Sequence, residues 1–205
     1  LYLEAFTHTI AVMQSEETLF RVAEECVHDL NDDGIMYAEV RFAPELFGEK
    51  GLTLDEVIAA VLQGFESGMR DREIIVKGIL CAMRSSDRST EIAEAAISFM
   101  DKGVVGFDIA GPEIDFPPRI HRQAFEIAHR NNLPITIHAG EAAGPEYIEE
   151  ALTICHASRI GHGTSAREKI LDNGQAITSY GIAKDLVERG IALEVCPTSN
   201  IHTGI

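Results

Sequence analysis

The amino-acid sequence predicts an α/β fold with a parallel sheet. Three observations carry that prediction: helix-like and strand-like patterns alternate along the chain, the strands are short and apolar, and small or polar residues follow most strand ends. In order, helical spacing of apolar residues over 16–30 precedes a strand at 35–42. A helix at 54–69 and a strand at 74–83 follow, then a helix at 89–100 and a strand at 104–110. The second half repeats the alternation: helix 118–130, strand 135–138, helix 146–155, strand 159–162, helix 180–188 and strand 191–195. Strands buried on both faces and connected by helices form parallel sheets, and no linker or low-complexity tract divides the chain, so one domain over 1–205 is predicted.

Two architectures satisfy this alternation, an open doubly wound sheet and a (β/α)8 barrel. Residues with chemistry lie beyond the ends of several separate strands, at Glu45, Gly111, Glu113, His138, Glu141, His162, Thr198, Ser199 and Asn200. Many strands feeding one rim favours the barrel. No Gly-x-Gly-x-x-Gly turn and no Gly-Lys-Ser/Thr occurs, so the phosphate-cradling signal of nucleotide-binding open sheets is absent. Six strands are visible, so two strand-helix units of a complete barrel are missing. The chain also starts at Leu1 rather than methionine, and an internal fragment is expected.

Composition narrows the partners. Of 205 residues, 45% are hydrophobic, enough for a sizeable core. Seventeen basic against thirty-three acidic residues give a formal charge of -16, which repels nucleic acid and anionic membranes and suits a neutral or cationic small molecule. Much of that acidity also serves simply to solvate helix faces. Cys26, Cys81, Cys155 and Cys196 are scattered without a Cys-x-x-Cys pair, and no signal peptide or membrane-spanning run is visible, so a reduced, cytoplasmic protein is expected.

The most informative segment reads Leu133-Pro-Ile-Thr-Ile-His-Ala-Gly-Glu141: an apolar strand delivers His138, and a small-residue turn then delivers Glu141. Neutral imidazole at a strand end suits zinc, and a carboxylate three residues on is placed to exchange a proton with a bound substrate. The plainer alternatives are a histidine that satisfies a strand end and a carboxylate at a helix start. No His-x-His or His-Glu-x-x-His cluster supplies further metal ligands, so a zinc shell looks incomplete. His162 stands between two glycines in Ser158-Arg-Ile-Gly-His-Gly-Thr164, where backbone can approach a ligand closely. It either polarises a water or bonds a neighbouring loop. Gly111, in Val104-Val-Gly-Phe-Asp-Ile-Ala-Gly-Pro-Glu113, either offers a backbone N–H to a flat heteroaromatic ring or only makes the turn before Pro112. His8, His28, His121 and His129 lie on helical segments and are read as surface or packing residues, and the 196–200 segment is read as structural.

Together these segments resemble the adenosine deaminase family of metal-dependent hydrolases. The likeness rests on Tyr37-Ala-Glu-Val-Arg-Phe-Ala-Pro44, Gly106-Phe-Asp-Ile-Ala-Gly111, His138-Ala-Gly-Glu141, Arg159-Ile-Gly-His-Gly163 and Glu194-Val-Cys-Pro-Thr-Ser-Asn200, in the family's order. The resemblance implies a TIM barrel of the metal-dependent hydrolase type, of which this chain supplies about six strand-helix units, lacking the first and last strands. It also implies a Zn2+ cofactor and a purine nucleoside substrate, with adenosine or 2'-deoxyadenosine hydrolysed to the inosine product and ammonia. By resemblance His138 is a zinc ligand, Glu141 the proton donor to purine N1, His162 the histidine that holds the metal-bound hydroxide, and Gly111 the backbone donor to purine N3. The family's His-x-His and Asp-Asp segments have no counterpart here, so the segment alone is expected to be inactive. Adenine or another aminopurine is the nearest alternative substrate, and a non-catalytic purine-binding relative is the alternative of another class. All four site residues are expected on one rim.

Overall fold

The computed structural model describes residues 2–166 and 181–204. Two helices, α1 (Tyr2–Val12) and α2 (Glu16–Asp32), precede a run in which each strand is followed by a helix. The run is β1 (Tyr37–Phe42), α3 (Leu54–Gly68), β2 (Ile75–Met83), α4 (Ser89–Ser98), β3 (Val104–Ala110), α5 (Arg122–Arg130), β4 (Thr136–Ala139), α6 (Pro145–Thr153), β5 (Arg159–His162), α7 (Ile182–Glu188), β6 (Ala192–Glu194) and α8 (Pro197–Thr203). All six predicted strands are present within two residues of their predicted ends. The predicted helices at 16–30, 54–69 and 89–100 are present as α2, α3 and α4, while the one at 118–130 opens as a 3-10 turn, Pro118–His121, before α5. Residue 180, the expected start of the sixth predicted helix, observed as α7, lies outside the described residues. Helix α8 was not predicted, and α1 was anticipated only in the placing of His8 on a helical segment.

Local chemistry explains where helices begin. Ser15 caps α2 in a reciprocal capping box with Thr18, and Thr53 does the same for α3 with Glu56, whose carboxylate accepts the Thr53 N–H at 2.8 Å. α8 was hidden because the 196–200 segment carries no apolar periodicity; Pro197 at its first turn is the signal that marks it.

Every strand pair is parallel. β1, β2 and β3 pair in sequence order, β4, β5 and β6 do the same, and a parallel bridge between Phe107 and Ile135 links the two groups. An open doubly wound sheet reverses its strand order at a switch point, and this sheet never does. It is instead an arc of a barrel, and its curvature brings the ends together: Arg41 on β1 bonds Glu194 on β6, and Arg159 on β5 bonds Glu39 on β1. The chain therefore forms part of a TIM-type barrel.

The apolar core lies between the outer face of the sheet and the helices, with Leu80, Phe107, Ile109, Ile137 and Ile160 fully buried against Ile92, Phe125 and Ile148. A second cluster packs α2 on α3 and the start of β2 through Leu19, Val27, Val57, Phe65 and Val76. The inner face carries Glu39, Arg41, Asp108, Thr136, Arg159 and Glu194 joined by ion pairs and hydrogen bonds. Strands expected to be buried on both faces therefore carry polar and charged residues on the inner one. Period-2 alternation sends the other residues of each strand into the arc, and there charges survive because they are paired. None of the described helices is long and apolar enough to cross a membrane.

Candidate active site

The loops after β3, β4 and β5, together with α8, surround a cavity of about 1180 Å³. His138, Glu141, His162 and Gly111 all line it, as does Glu113. Another cavity, of about 780 Å³, is lined by residues of α3 and by Lys77 and Gly103, toward the opposite ends of β2 and β3. It contains no histidine, so the chemistry points to the larger one.

His138 is delivered by β4, opposite Gly161 in the parallel register. A Cβ on Gly161 would sit in ordinary van der Waals contact, 3.4 Å from the His138 Cα and 3.6 Å from its Cγ. The His138 Nδ1 lies 2.8 Å from Asp108 Oδ2, and the His138 N–H donates to Asp108 Oδ1 at 3.1 Å. The ionised carboxylate accepts from Nδ1–H, which leaves the Nε2 lone pair available. This is the carboxylate–histidine pairing that orients metal-ligating imidazoles. Burial would raise the fully buried Asp108 carboxyl, but the adjacent His138 and the Arg41 guanidinium, 3.4 Å away, hold it below the usual carboxylate range.

Glu141 follows a sharp turn at Gly140, whose φ of 69° lies in the left-handed region. A Cβ there would meet Ile148 at 2.6 Å, so the turn admits only glycine without rearrangement. Its carboxylate stands 3.7 Å from His162 Nε2. His162 ends β5 with a φ of 65°, an uncommon conformation for a residue with a side chain, and the imidazoles of His138 and His162 are 5.3 Å apart. Asn200 on α8 lies with its Oδ1 2.7 Å from His162 Nδ1, which aims Nε2 toward Glu141. Gly111, at a φ of 105°, turns the chain out of β3.

Of the other predicted rim residues, Ser199 lines the cavity and Asn200 orients His162. Glu45 instead accepts the Met83 N–H at 2.7 Å and belongs to the rim's scaffold. Thr198 does not line the cavity. The 196–200 segment, read as structural, also reaches the site, because α8 brings Ser199 and Asn200 to it. Sequence reasoning assigned no role to Asp108 or Arg84. Asp108 was detectable as a lone acid within an apolar strand. Arg84 carried no such flag, yet it is 1% exposed and donates to the carbonyls of His138 and Phe116. His121, read as a packing residue, is buried with its Nε2 3.0 Å from the Arg84 carbonyl oxygen.

The residues fit a metal in one respect: His138 presents a tied imidazole with Nε2 uncommitted. Among the described residues, no group of three or more His, Cys, Asp or Glu side chains is arranged to hold a metal ion.

The adenosine deaminase family model matches residues 1–205. The chain belongs to the adenosine deaminase family. It is 52% identical to the adenosine deaminase of Mycobacterium leprae over 99% of this chain and 58% of the relative, and 50% identical to that of Mycobacterium marinum with the same coverage. The chain thus spans less than two thirds of the family members it matches. Its fold is that of the adenine deaminase from Arthrobacter aurescens, with a TM-score of 0.84, 23% identity, and coverage of 98% of this chain and 58% of that one. The Arabidopsis N6-mAMP deaminase is similar at a TM-score of 0.82 and 27% identity, covering 98% and 58%. A Burkholderia ambifaria amidohydrolase with bound Zn is similar at 0.75 and 26%, covering 91% and 50%.

Proposed function

We propose that these residues belong to a longer enzyme that hydrolyses adenosine or 2'-deoxyadenosine to inosine or deoxyinosine and ammonia, with zinc as cofactor. The observation that carries this reading is the facing of Glu141 and His162 at 3.7 Å in the same cavity as the tied imidazole of His138, in a chain of the adenosine deaminase family. His138 Nε2 would be one zinc ligand, and the remaining ligands would come from outside the described residues. Zinc supplies an activated water at neutral pH when bound. With the metal bound, His162 Nε2 would hold that water by a hydrogen bond and orient it toward C6 of the purine. Glu141 protonates N1, so the ring accepts the electron pair as oxygen adds to C6. Gly111 N–H donates to N3 and fixes the ring plane. One proton of the water moves to the departing amino group, the C6–N bond breaks and ammonia leaves, and the remaining C6–OH proton returns to Glu141 as the C6 carbonyl forms.

A nucleoside suits the cavity better than a nucleotide. No Lys or Arg is among its described lining residues, while Glu113 and Glu141 are, and a phosphate would meet negative charge. Free adenine is the nearest alternative, and the kinetic comparison below separates the two.

The test is the loss of adenosine absorbance with the zinc-loaded full-length enzyme, with adenine as the competing substrate and Glu141→Gln as the variant. We expect adenosine to be preferred and kcat to fall about 10²- to 10⁴-fold in the variant, with zinc content unchanged. A zinc-free parent without deaminase activity overturns the reading in favour of a purine-binding relative.

A further inference from the structure

We propose that Glu113 is a positioning residue for this reaction: its buried carboxylate sets the turn that carries Glu141. The proposal rests on the deaminase reading above and adds a residue that acts through the proton donor rather than on substrate.

Glu113 is 5% exposed, yet it stands on the turn that leaves β3 just after Gly111. Its Oε1 accepts the Gly140 N–H at 2.6 Å, and its Oε2 accepts those of Ala142 at 2.7 Å and Ala143 at 2.8 Å. Two of these amides are the immediate neighbours of Glu141 on either side, so the backbone of the proton donor is bracketed by one carboxylate. Bonds to an ionised acceptor at these distances are the strong class of protein hydrogen bond. With both oxygens committed to three N–H groups, Glu113 is not itself a proton carrier.

The opposite side of the same turn is held by a cation. Arg84 donates to the His138 carbonyl and, at 2.8 Å, to the Phe116 carbonyl, and Phe116 N–H donates to the Glu113 carbonyl at 3.1 Å. The turn is gripped on its N–H groups by a buried carboxylate and on a C=O by a buried guanidinium, and the two charges offset one another. Loops of this kind are ordinarily the mobile part of a barrel rim. Here the β3 turn with Gly111 and the β4 turn with Glu141 are joined into one unit, so the purine contacts assigned to these two residues keep a fixed spacing.

The experiment is a double-mutant cycle in the zinc-loaded full-length enzyme, with Glu113→Gln made in the parent and in a Glu141→Gln background. Glutamine keeps the size but places an NH2 group against backbone donors. We expect Glu113→Gln to lower kcat for adenosine about 10- to 100-fold, with KM within threefold and zinc content unchanged, since misplacement by about 1 Å costs on the order of 10²-fold. In the Glu141→Gln background the same change should cost less than threefold, because the residue it positions is gone. Equal losses in both backgrounds, or a folded Glu113→Gln enzyme with parental kcat, overturn the proposal. Should Glu113→Gln fail to fold, Glu113→Asp is read in the same two backgrounds by the same criteria. Amide hydrogen exchange of Gly140, Ala142 and Ala143 reads the anchoring independently of activity: protection comparable to β4 supports it and free exchange overturns it. An inactive parent with protected amides overturns the deaminase reading and leaves the anchoring intact.

Discussion

Asp108 shows how one buried side chain prepares another. Its carboxylate fixes both the ring and the backbone of His138, and Arg41 keeps it ionised inside the arc. On the proposed zinc assignment, Asp108→Asn in the full-length enzyme would present an amide where Nδ1–H needs an acceptor, and we expect zinc affinity to fall about 10- to 100-fold in competition with a chromogenic chelator. Unchanged affinity would mean that Asp108 serves the fold alone. Gly111 makes a second case at this scale. At φ 105° an alanine is strained, while the nearest obstacle to its Cβ is the flexible end of Met83 at 3.1 Å. Conformation therefore dominates over the clash, and Gly111→Ala should cost about 1–3 kcal/mol in urea unfolding. The buried thiols are inert: burial pushes Cys155 up to about 12 and Cys81 well above its usual value.

Helices α2 and α3 cross through small residues. A Cβ on Gly64 would lie 2.4 Å from the Phe20 carbonyl oxygen and 2.7 Å from the Ala23 Cβ, and one on Gly68 would lie 2.6 Å from the Val27 Cβ. Alanine at position 64 gains about 1 kcal/mol of helix propensity, but the obstacle is backbone, which cannot step aside without separating the helices. We expect Gly64→Ala to destabilise by about 1–3 kcal/mol on balance, whereas Glu66→Ala on the exposed face of α3 stays within about 0.5 kcal/mol. A stabilised Gly64→Ala protein would show that the crossing has slack. Helix α8 illustrates a different element-level effect, since a short segment with little apolar pattern positions His162 through Asn200.

Across the whole molecule, the inner face of the arc is a charge network that ties β1 to β5 and β6. Glu39 reports on it. Burial would raise its carboxyl, but hydrogen bonds from Arg159 and Tyr37 and the charge of Arg41 hold it below the ordinary glutamate range. A carboxyl depressed in the folded state stabilises fully above its unfolded pKa of about 4.3, and that contribution is lost as pH falls through the folded value. Thermal unfolding between pH 6 and 3 should therefore fall more steeply for the parent chain than for Glu39→Gln. Parallel slopes would place the acid sensitivity elsewhere.

Much of this was legible in the sequence. The six strands and the parallel alternation were readable because strand cores such as Ile135-Thr-Ile137 are local patterns of hydrophobicity, and the strand-end placement of His138 and Glu141 follows from a single short segment. The barrel arc, by contrast, rests on strand order, and the pairing of Arg41 with Glu194 joins residues 153 positions apart. No local pattern encodes such a contact. The same holds for Asp108 behind His138, for Asn200 behind His162, and for Glu113 and Arg84 around the Glu141 turn. The sequence by itself determined the six strands, the helices that connect them and the strand-end candidates His138, Glu141, His162 and Gly111, because each depends on neighbours in the chain. Only the tertiary structure decided which way those residues face and what holds them there, because burial and hydrogen bonding between distant segments exist only once the sheet has curved.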